Sequence, residues 1–289
     1  MILKQHEIGA LPKVIGIGPQ KTGTTWIQRY FEWRNDICLP NGTKETFFFD
    51  RYYSKGIKWY SSYFSHKNFR NSIAIEIAPT YFHCSEAPAR IKKELGDIFI
   101  ICTLREPISR TYSLYLHMLR YGITNLNFKD AVKKYPEILS SSMYSFHLKR
   151  WFDYFEKEKI LILFLEEFTK SPNKYAENLC KHLKISFKPI PDSLLKPINE
   201  AALPSNFLFA RIANSTANFL RSYKLHKFIE IGKKIGMKDL LFGKPGDKPL
   251  PQLNETDFLW LKDNLDPEID RLENLLGINL QIWKKAHSH

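Results

Sequence analysis

Residues 14–26 read Val-Ile-Gly-Ile-Gly-Pro-Gln-Lys-Thr-Gly-Thr-Thr-Trp and decide the fold of this chain of 289 residues. The apolar start of the segment predicts a short buried strand, and a helical pattern begins at Trp26. Between them lies a loop of glycine, proline, lysine and threonine. A strand, a loop and a helix in this order direct backbone N–H groups and the positive end of a helix dipole to one point. With the charge of Lys21 added, the loop predicts a binding site for a phosphate-like group.

Two common phosphate-binding motifs do not fit this loop. The nucleotide-triphosphate loop requires Gly-x4-Gly-Lys-Ser/Thr. Gly18 and Gly23 have that spacing, but Thr24 takes the place of the lysine. The dinucleotide motif has its third glycine where Lys21 stands. A kinase or another phosphotransferase of the triphosphate-loop type is therefore disfavoured, and the loop is an anion site of related geometry and different chemistry.

The opening strand is the first of four that the sequence predicts, because each segment is short, apolar and rich in β-branched residues. The four are expected at residues 14–18, 73–77, 98–104 and 160–165. Helical patterns follow at residues 24–34, 85–95, 108–121 and 142–156, with Ser85 as the expected N-cap of the second. The alternation predicts an α/β fold, a P-loop-like doubly wound parallel sheet of about four to five strands flanked by helices. Ligands of such sheets bind at the carboxyl ends of the strands.

The carboxyl-terminal region is predicted to be helical, with long loops. In chain order we expect a loop at residues 186–206, two helices within 207–241, a loop at 243–249 and helices at 255–264 and 267–276. Asn254 is the expected N-cap of the helix at 255–264, and Pro267 suits a first helical turn. The sequence indicates one domain over residues 1–289, with a core at 12–185 and an extension at 186–289.

The charge balance points to an anionic partner. Lysine and arginine number 43 against 30 aspartate and glutamate residues, which gives a net charge of +13. A nucleic acid, an anionic cofactor, a polyanionic glycan or an acidic membrane surface would each account for this charge, as would a basic surface with no partner. The four cysteines show neither a CxxC pair nor metal-ligand spacing, which favours a reducing compartment. No apolar run is long enough to span a membrane, and the first residues lack the apolar core of a signal peptide.

Three segments together resemble the sulfotransferases that use 3′-phosphoadenosine 5′-phosphosulfate (PAPS). Residues 18–26 are similar to the family's 5′-phosphosulfate loop, and residues 103–113 to its 3′-phosphate segment. Residues 44–50 read Lys-Glu-Thr-Phe-Phe-Phe-Asp and resemble a segment of heparan-sulfate-type sulfotransferases. The likeness is strong over residues 12–125, weaker over 140–190, and nearest to heparan-sulfate-type and bacterial carbohydrate sulfotransferases. It implies in-line transfer of a sulfuryl group from PAPS to an acceptor hydroxyl, with a carbohydrate as the expected acceptor and adenosine 3′,5′-bisphosphate as product.

The resemblance also implies roles for individual side chains. Lys21 is expected to stabilise the leaving group, Glu45 to take the acceptor's proton, and Lys44 to contact the substrate or the transferred group. The phenylalanines after Glu45 are expected to exclude water from it. The expected nucleotide-binding residues are Gly18, Pro19, Lys21, Thr22, Gly23, Thr24, Thr25, Trp26, Arg105, Ser113 and Lys244, with Arg105 and Ser113 on the 3′-phosphate.

Acceptor contacts are expected from Glu76, Tyr81 and His83, while His83 and His117 are alternative bases. Heparan-sulfate-type enzymes often have a lysine where Ile77 stands, and in this respect the chain departs from them. No cluster of Asp, Glu and His has metal-ligand spacing, so no metal is expected.

Several alternatives stay open at this point. The acceptor hydroxyl could belong to a lipid, a small metabolite or a carrier-bound acyl chain instead of a carbohydrate. A basic protein that binds nucleic acid or another polyanion is the non-enzymatic alternative, although the three cofactor signatures speak against nucleic acid. The expected location is the cytoplasm, in a bacterium, and the alternative is an excised catalytic domain of a Golgi enzyme. The sequence does not indicate an oligomeric state.

Overall fold

The computed structural model describes residues 11–64, 72–195 and 250–286, together with residues 211–213, 215–216 and 220. The chain divides into two compact units. The first comprises Met1–Arg105 and His147–Lys196, and the second comprises Glu106–Phe146 and Pro197–His289. The expectation of one domain, with its core at 12–185, stays a prediction.

A parallel sheet of five strands forms the centre of the first unit. The strands are β1 (Val14–Gly18), β2 (Ile37–Cys38), β3 (Ile73–Ile77), β4 (Phe99–Leu104) and β5 (Ile160–Phe164), in the order β2-β3-β1-β4-β5. All neighbouring strands run parallel. This confirms the predicted α/β class. The sequence analysis missed β2, because two residues are too short to show any periodicity.

The helices of the two units differ in some bounds from the prediction. Those within the described residues are, in chain order, α1 (Thr24–Trp33), α2 (Ile57–Ser61), α3 (Ala87–Leu95), α4 (Pro107–Arg120), α5 (Phe128–Lys134), α6 (Glu137–Ser140), α7 (Tyr144–Phe152), α8 (Leu165–Lys170), α9 (Pro172–His182), α10 (Asp192–Leu195), α11 (Glu255–Leu276) and α12 (Gln281–Ala286). In the part of the chain that the structure describes, 3₁₀ turns lie at Tyr53–Lys55, Ser62–Phe64, Pro79–His83 and Lys157–Lys159. The prediction that Ser85 caps a helix was wrong: α3 begins at Ala87, and Ser85 Oγ donates to the carboxylate of Glu86 at 2.7 Å.

The core of the first unit explains why its first strand and helix form. Every residue of β1 is buried. A Cβ atom at Gly16 would lie 2.5 Å from Ile77 Cδ1, so glycine lets β3 pack closely against β1. The buried stripe of α1 includes Trp26 and Tyr30, which share one apolar cluster with Leu179 of α9. This packing fixes the amino-terminal end of α1 at the carboxyl end of β1.

The strand order predicts where a ligand site lies in the sheet. The chain leaves β1 toward β2 on one side, and it leaves β4 toward β5 on the other. The carboxyl ends of β1 and β4 are neighbours, and such a switch in direction opens the crevice where α/β sheets bind ligands. The loop of residues 19–23 and residue Arg105 follow these two strands directly.

In the second unit, helices pack around an apolar cluster that joins α4, α5, α6 and α11. Glu106 caps α4 by accepting hydrogen bonds from the amides of Ile108 at 2.6 Å and Ser109 at 2.7 Å. Asn254 caps α11 as predicted, since its Oδ1 accepts from the Asp257 amide at 2.8 Å. The prediction of two helices after it was wrong, because α11 continues through Pro267.

The reason is the apolar stripe of α11, which includes Leu261, Leu265, Ile269 and Leu272 and stays buried on both sides of Pro267. In the first unit, α10 lies within the stretch that was predicted as a long loop. The predictions for residues 196–206, 207–241 and 243–249 fall on stretches that lie outside the described residues, apart from residues 211–213, 215–216 and 220, which are helical.

Of the helices described, none has both the length and the apolar composition to span a bilayer. Cys102 is fully buried, as its place in an apolar strand predicts, and all four cysteines are free thiols. The cytoplasmic location and its alternative, an excised Golgi domain, stay predictions.

Candidate active site

The loop after β1 is shaped by backbone conformations that glycine adopts easily. Gly18 has a φ of +84°, and a Cβ there would lie 2.6 Å from the Pro79 Cα, so no larger residue fits. Gly23, at the N-cap of α1, has a φ of +92° in the left-handed region. Lys21 also adopts a positive φ of 72°. These conformations turn the chain sharply from strand to helix, and the first amides of α1, which lack partners within the helix, face the turn.

Side chains from β4 hold this loop in place. Thr22 is fully buried, and its hydroxyl donates to the Pro19 carbonyl at 2.6 Å. The same oxygen lies 2.6 Å from Thr103 Oγ1 on β4. Because Thr22 gives its proton to Pro19, Thr103 is the donor in this second contact. Cys102 adds a hydrogen bond from its thiol to the Gly18 carbonyl at 3.2 Å.

Two of the residues predicted to bind the nucleotide, Thr22 and Trp26, have buried side chains. The Thr22 hydroxyl braces the turn from inside. The Trp26 ring is 5% exposed and stacks on Tyr30, with ring centroids 5.3 Å apart. Its indole N–H donates to the Leu194 carbonyl at 3.1 Å. Trp26 is therefore a core residue, because its position one helical turn before Tyr30 places it on the buried face of α1.

The signature segment of residues 44–50 reaches the first turn of α1 through Lys44. Its Nζ donates to Thr25 Oγ1 at 3.4 Å, and Thr25 is exposed at the start of α1. The same ammonium group lies 3.6 Å from Glu45 Oε1. Lys44 and Glu45 are 33% and 16% exposed in their side chains. Both therefore reach the surface beside the loop that carries Lys21, while Lys21 itself is half-buried.

The segment of residues 44–50 is a loop with turns, and its side facing the protein interior packs on aromatic rings. Phe48 and Phe49 are fully buried, and both rings pack on Tyr60 of α2, at centroid distances of 4.7 Å and 5.1 Å. Phe47 has a positive φ of 53°, and its carbonyl accepts from the Arg51 amide at 3.0 Å. The segment is thus a tight turn on an aromatic base.

Glu76 and Tyr81 were predicted to contact the acceptor, and the structure places both in the interior. Each is 0% exposed. Glu76 Oε1 accepts from the Thr46 amide at 2.8 Å and from its hydroxyl at 2.6 Å. Glu76 Oε2 accepts from Tyr60 OH at 2.8 Å, and Tyr81 OH lies 3.3 Å from the same oxygen. The expectation is corrected: these groups bind the segment of residues 44–50 from beneath.

Burial raises the pKa of Glu76 to about 7, while the hydrogen bonds from Thr46 and the tyrosines oppose this shift. Burial also raises the pKa of Tyr60 and of Tyr81 well above the ordinary value. Both phenols are therefore neutral donors at any pH near neutrality. Next to Glu76, Ile77 occupies the position where heparan-sulfate-type enzymes often carry a lysine, and it is 1% exposed against β1.

The remaining predicted residues lie in three places. His83 ends the 3₁₀ turn Pro79–His83 and is half-buried. This turn starts beside β1, where the Ala78 amide donates to the Gly16 carbonyl at 2.7 Å. Arg105, also half-buried, directly follows β4 in the first unit. Ser113 is half-buried on α4, in the second unit. The roles of these residues stay predictions, as do those of the loop residues.

Lys244 lies outside the described residues. Within residues 11–64, 72–195 and 250–286, no three His, Cys, Asp or Glu side chains are grouped to hold a metal ion. The expectation that no metal is needed stays a prediction.

Sequence reasoning missed Thr46, Tyr60 and Thr103, which hold the two surface segments. Thr103 carried a signal, since it is a hydroxyl residue near the end of an otherwise apolar strand. Tyr60 carried none, because it contacts Glu76 across 16 positions of the chain.

Comparison with known proteins gives two kinds of match. Residues 11–216 match the family model described as "Sulfotransferase domain". The bifunctional heparan sulfate N-deacetylase/N-sulfotransferase 1 of Xenopus laevis is 29% identical over 63% of this chain and 23% of its own length. The human bifunctional heparan sulfate N-deacetylase/N-sulfotransferase 2 is 30% identical, again over 63% of this chain and 23% of its own length. The chain thus spans about a quarter of the length of these relatives.

A solved structure shares the fold. The sulfotransferase of Alicyclobacillus acidocaldarius superposes with a TM-score of 0.67 at 20% identity, covering 95% of this chain and 99% of that one. This likeness agrees with the parallel sheet and its flanking helices.

Proposed function

This chain belongs to the sulfotransferase domain family, and on that premise we propose that it moves a sulfuryl group from PAPS to a carbohydrate acceptor. The family match confirms the resemblance found in the sequence and the assignment of the chain as a sulfotransferase. Members of this family use PAPS. The substrate pair and the roles of individual residues in this chain are the parts that we propose.

One observation carries the proposal. Lys44 Nζ donates to Thr25 Oγ1 at 3.4 Å, which ties the segment with Glu45 to the first turn of α1. The candidate base and the loop that is the candidate anion site therefore lie side by side at the carboxyl end of β1. Sulfuryl transfer needs this neighbourhood, because the attacking hydroxyl and the leaving group stand on opposite sides of the transferred group.

The chemistry of the loop fits the phosphosulfate end of PAPS. The first amides of α1 and the helix dipole favour an anion, and Lys21 adds a full positive charge. Arg105 follows the neighbouring strand and offers a planar set of donors suited to a second phosphate. When bound, PAPS supplies an activated sulfuryl group and departs as the bisphosphate nucleotide.

The side chains of this protein divide the remaining work. Lys21 stabilises the negative charge that develops on the leaving oxygen, a contribution of about 3–4 kcal/mol for a single well-placed donor. Glu45 takes the proton of the acceptor. Lys44 orients Glu45 by pairing with it at 3.6 Å. The buried Phe48 and Phe49 keep water from the underside of this segment.

The acceptor is the least constrained part of the proposal. A carbohydrate hydroxyl is our choice, because the relatives act on heparan sulfate according to their names and a net charge of +13 suits an anionic glycan. A sugar amino group is the second candidate, since those names specify N-sulfotransferases. Hydroxyls of lipids, metabolites or carrier-bound acyl chains are the alternatives from other substrate classes.

A transfer assay with sulfur-labelled PAPS tests the proposal. The acceptors are an unsulfated polysaccharide of alternating glucosamine and glucuronate, once fully N-acetylated and once de-N-acetylated. Label on the N-acetylated polymer supports a hydroxyl acceptor, and label only on the de-N-acetylated polymer supports an amine. The variant Lys21→Ala is the control.

Thermal stabilisation by adenosine 3′,5′-bisphosphate without magnesium is the accompanying binding test. A response only to magnesium-ATP, with no transfer of label to any acceptor, would contradict the proposal and favour a phosphotransferase.

A further inference from the structure

We propose that Glu76 is a positioning residue, whose buried carboxylate fixes the backbone next to Glu45 and so sets the place of that carboxylate. The inference rests on the proposed function, in which Glu45 takes the acceptor's proton. Glu76 itself touches no substrate, because it is 0% exposed.

The direct link runs through Thr46. Both the amide and the hydroxyl of Thr46 donate to Glu76 Oε1, at 2.8 Å and 2.6 Å. Thr46 is the residue immediately after Glu45, so its amide belongs to the peptide bond that joins the two residues. A hydrogen bond to that amide fixes the peptide plane from which the Glu45 side chain departs.

The other carboxylate oxygen is held from two further elements. Tyr60 of α2 donates to Oε2 at 2.8 Å, and Tyr81 of the 3₁₀ turn lies 3.3 Å from it. Tyr81 OH in turn accepts from the amides of Phe48 and Phe49, at 3.0 Å and 3.3 Å. Glu76 thus organises the whole turn after Glu45 as well as the adjoining peptide.

The surroundings of Glu76 consist of donors. A carboxylate accepts only and offers about four lone-pair sites, which match the two bonds from Thr46 and the two phenols. A glutamine would turn an NH₂ group toward donors and could not reproduce the set. This explains why a glutamate stands at this buried position, although a glutamine has the same shape and carries no charge.

The segment is therefore anchored on both sides of Glu45. On one side Lys44 reaches Thr25 at the start of α1. On the other side Thr46 is bound to Glu76 on β3. Between these two anchors the Glu45 side chain keeps 16% of its surface exposed, as a group that meets an acceptor must.

The charge state of Glu76 adds a pH dependence. Its pKa of about 7 lies in the neutral range, so the acceptor-only form that suits Thr46 gains population as pH rises. The groups facing it are Thr46, Tyr60 and Tyr81, with Tyr63 acting at longer range, and Asp50 acts on Tyr81. Burial keeps the pKa of these tyrosines raised, so they remain donors. Ionisation is thus expected to improve the position of Glu45, while it makes the fold less stable.

The test uses the full chain and the variant Glu76→Gln. We expect kcat for transfer from PAPS to fall by about 10²-fold, the typical cost of a misplaced group, while KM for PAPS and the affinity for adenosine 3′,5′-bisphosphate change by less than about twofold. The rise of kcat between pH 6 and 8 is expected to be smaller in the variant. A loss of nucleotide affinity in proportion to kcat would overturn the proposal, because it would indicate general damage.

Four further variants guard against a simple folding defect. Thr46→Val should lower kcat and Thr46→Ser should restore it. Tyr60→Phe should lower kcat, whereas Tyr30→Phe should not, although Tyr30 is an equally buried tyrosine that donates to a single carbonyl, that of Lys188, at 2.7 Å. Equal losses in the two tyrosine variants would contradict a specific role.

A double variant and an activity-independent readout separate this inference from the proposed function. Adding Glu76→Gln to Glu45→Gln should cause no further loss of kcat, and full additivity would overturn the inference. Amide hydrogen exchange should accelerate in residues 43–50 of Glu76→Gln and stay unchanged in α9. If the wild type transfers no sulfuryl group, the proposed function fails, and the exchange result alone then decides whether Glu76 holds the segment.

Discussion

The two surface segments that carry Lys21 and Lys44 are held in different ways. The loop of residues 18–23 depends mainly on its own backbone, since Gly18 and Gly23 supply conformations with φ of +84° and +92°. The segment of residues 44–50 depends on distant side chains, above all the carboxylate of Glu76. The first loop thus takes its shape mainly from local backbone conformations, with Thr103 and Cys102 of β4 bracing it, whereas the second segment owes its shape to a buried network with a titratable centre.

The largest effect is expected from Glu45→Gln, which removes the proposed base in the segment of residues 44–50. The amide cannot take a proton, so kcat should fall by about 10²–10⁴-fold. Binding of adenosine 3′,5′-bisphosphate should persist, measured by titration calorimetry. The control is Glu32→Gln on the exposed face of α1, whose carboxylate accepts from Gln28 at 2.9 Å. Near-normal activity of Glu45→Gln would move the base to His83 or His117.

Lys21→Ala tests the loop of residues 18–23 and is expected to have the second-largest effect. Loss of the ammonium group should lower kcat by about 10²–10³-fold, because charge on the leaving oxygen is no longer stabilised. Steady-state kinetics with saturating PAPS measure the effect, and Lys13→Ala, an exposed lysine just before β1, is the control. Equal kcat in the two variants would remove Lys21 from the reaction.

The third prediction concerns stability and separates the two segments by pH. The pKa of Glu76 is raised from about 4.5 to about 7 in the folded protein, so its contribution to stability is full below pH 4.5 and is lost as pH rises through 7. Between pH 5 and 8 the free energy of unfolding should fall by about 2–3 kcal/mol more in the wild type than in Glu76→Gln. Urea unfolding at four pH values measures this. Parallel pH profiles of the two proteins would show that Glu76 does not titrate in this range.

The smallest effect is expected from Thr22→Val in the loop of residues 18–23. The substitution leaves the Pro19 carbonyl and the Thr103 hydroxyl without their buried partner, which costs about 1–2 kcal/mol of unfolding free energy. Thr25→Val, at an exposed position in the first turn of α1, should stay within about 0.5 kcal/mol of the wild type. Equal stability of both variants would mean that β4 does not brace the loop.

The comparison also explains what the sequence could reveal. The bounds of β1 were predicted correctly, because an apolar run followed by glycine is a local signal. Trp26 was placed at the nucleotide through its motif, yet its spacing of four residues to Tyr30 already marked the buried stripe of α1. The pattern was present in the sequence, and the motif was given more weight.

The contacts beneath residues 44–50 could not be read in the same way. Glu76 stands in a strand that is buried on both faces, which hinted at an interior carboxylate. Its partners, Thr46 and Tyr60, lie 30 and 16 positions away and become neighbours only when the sheet forms. Likewise α11 passes through Pro267, because the packing of Leu265 and Ile269 outweighs the local preference of proline to start a helix.

A crystal structure with adenosine 3′,5′-bisphosphate bound is the most direct test of the account. We predict that this structure shows the 5′-phosphate in the turn between β1 and α1, within hydrogen-bonding distance of Lys21 Nζ and of the first amides of α1. A nucleotide bound at another place, with this turn making no contact to it, would contradict the account.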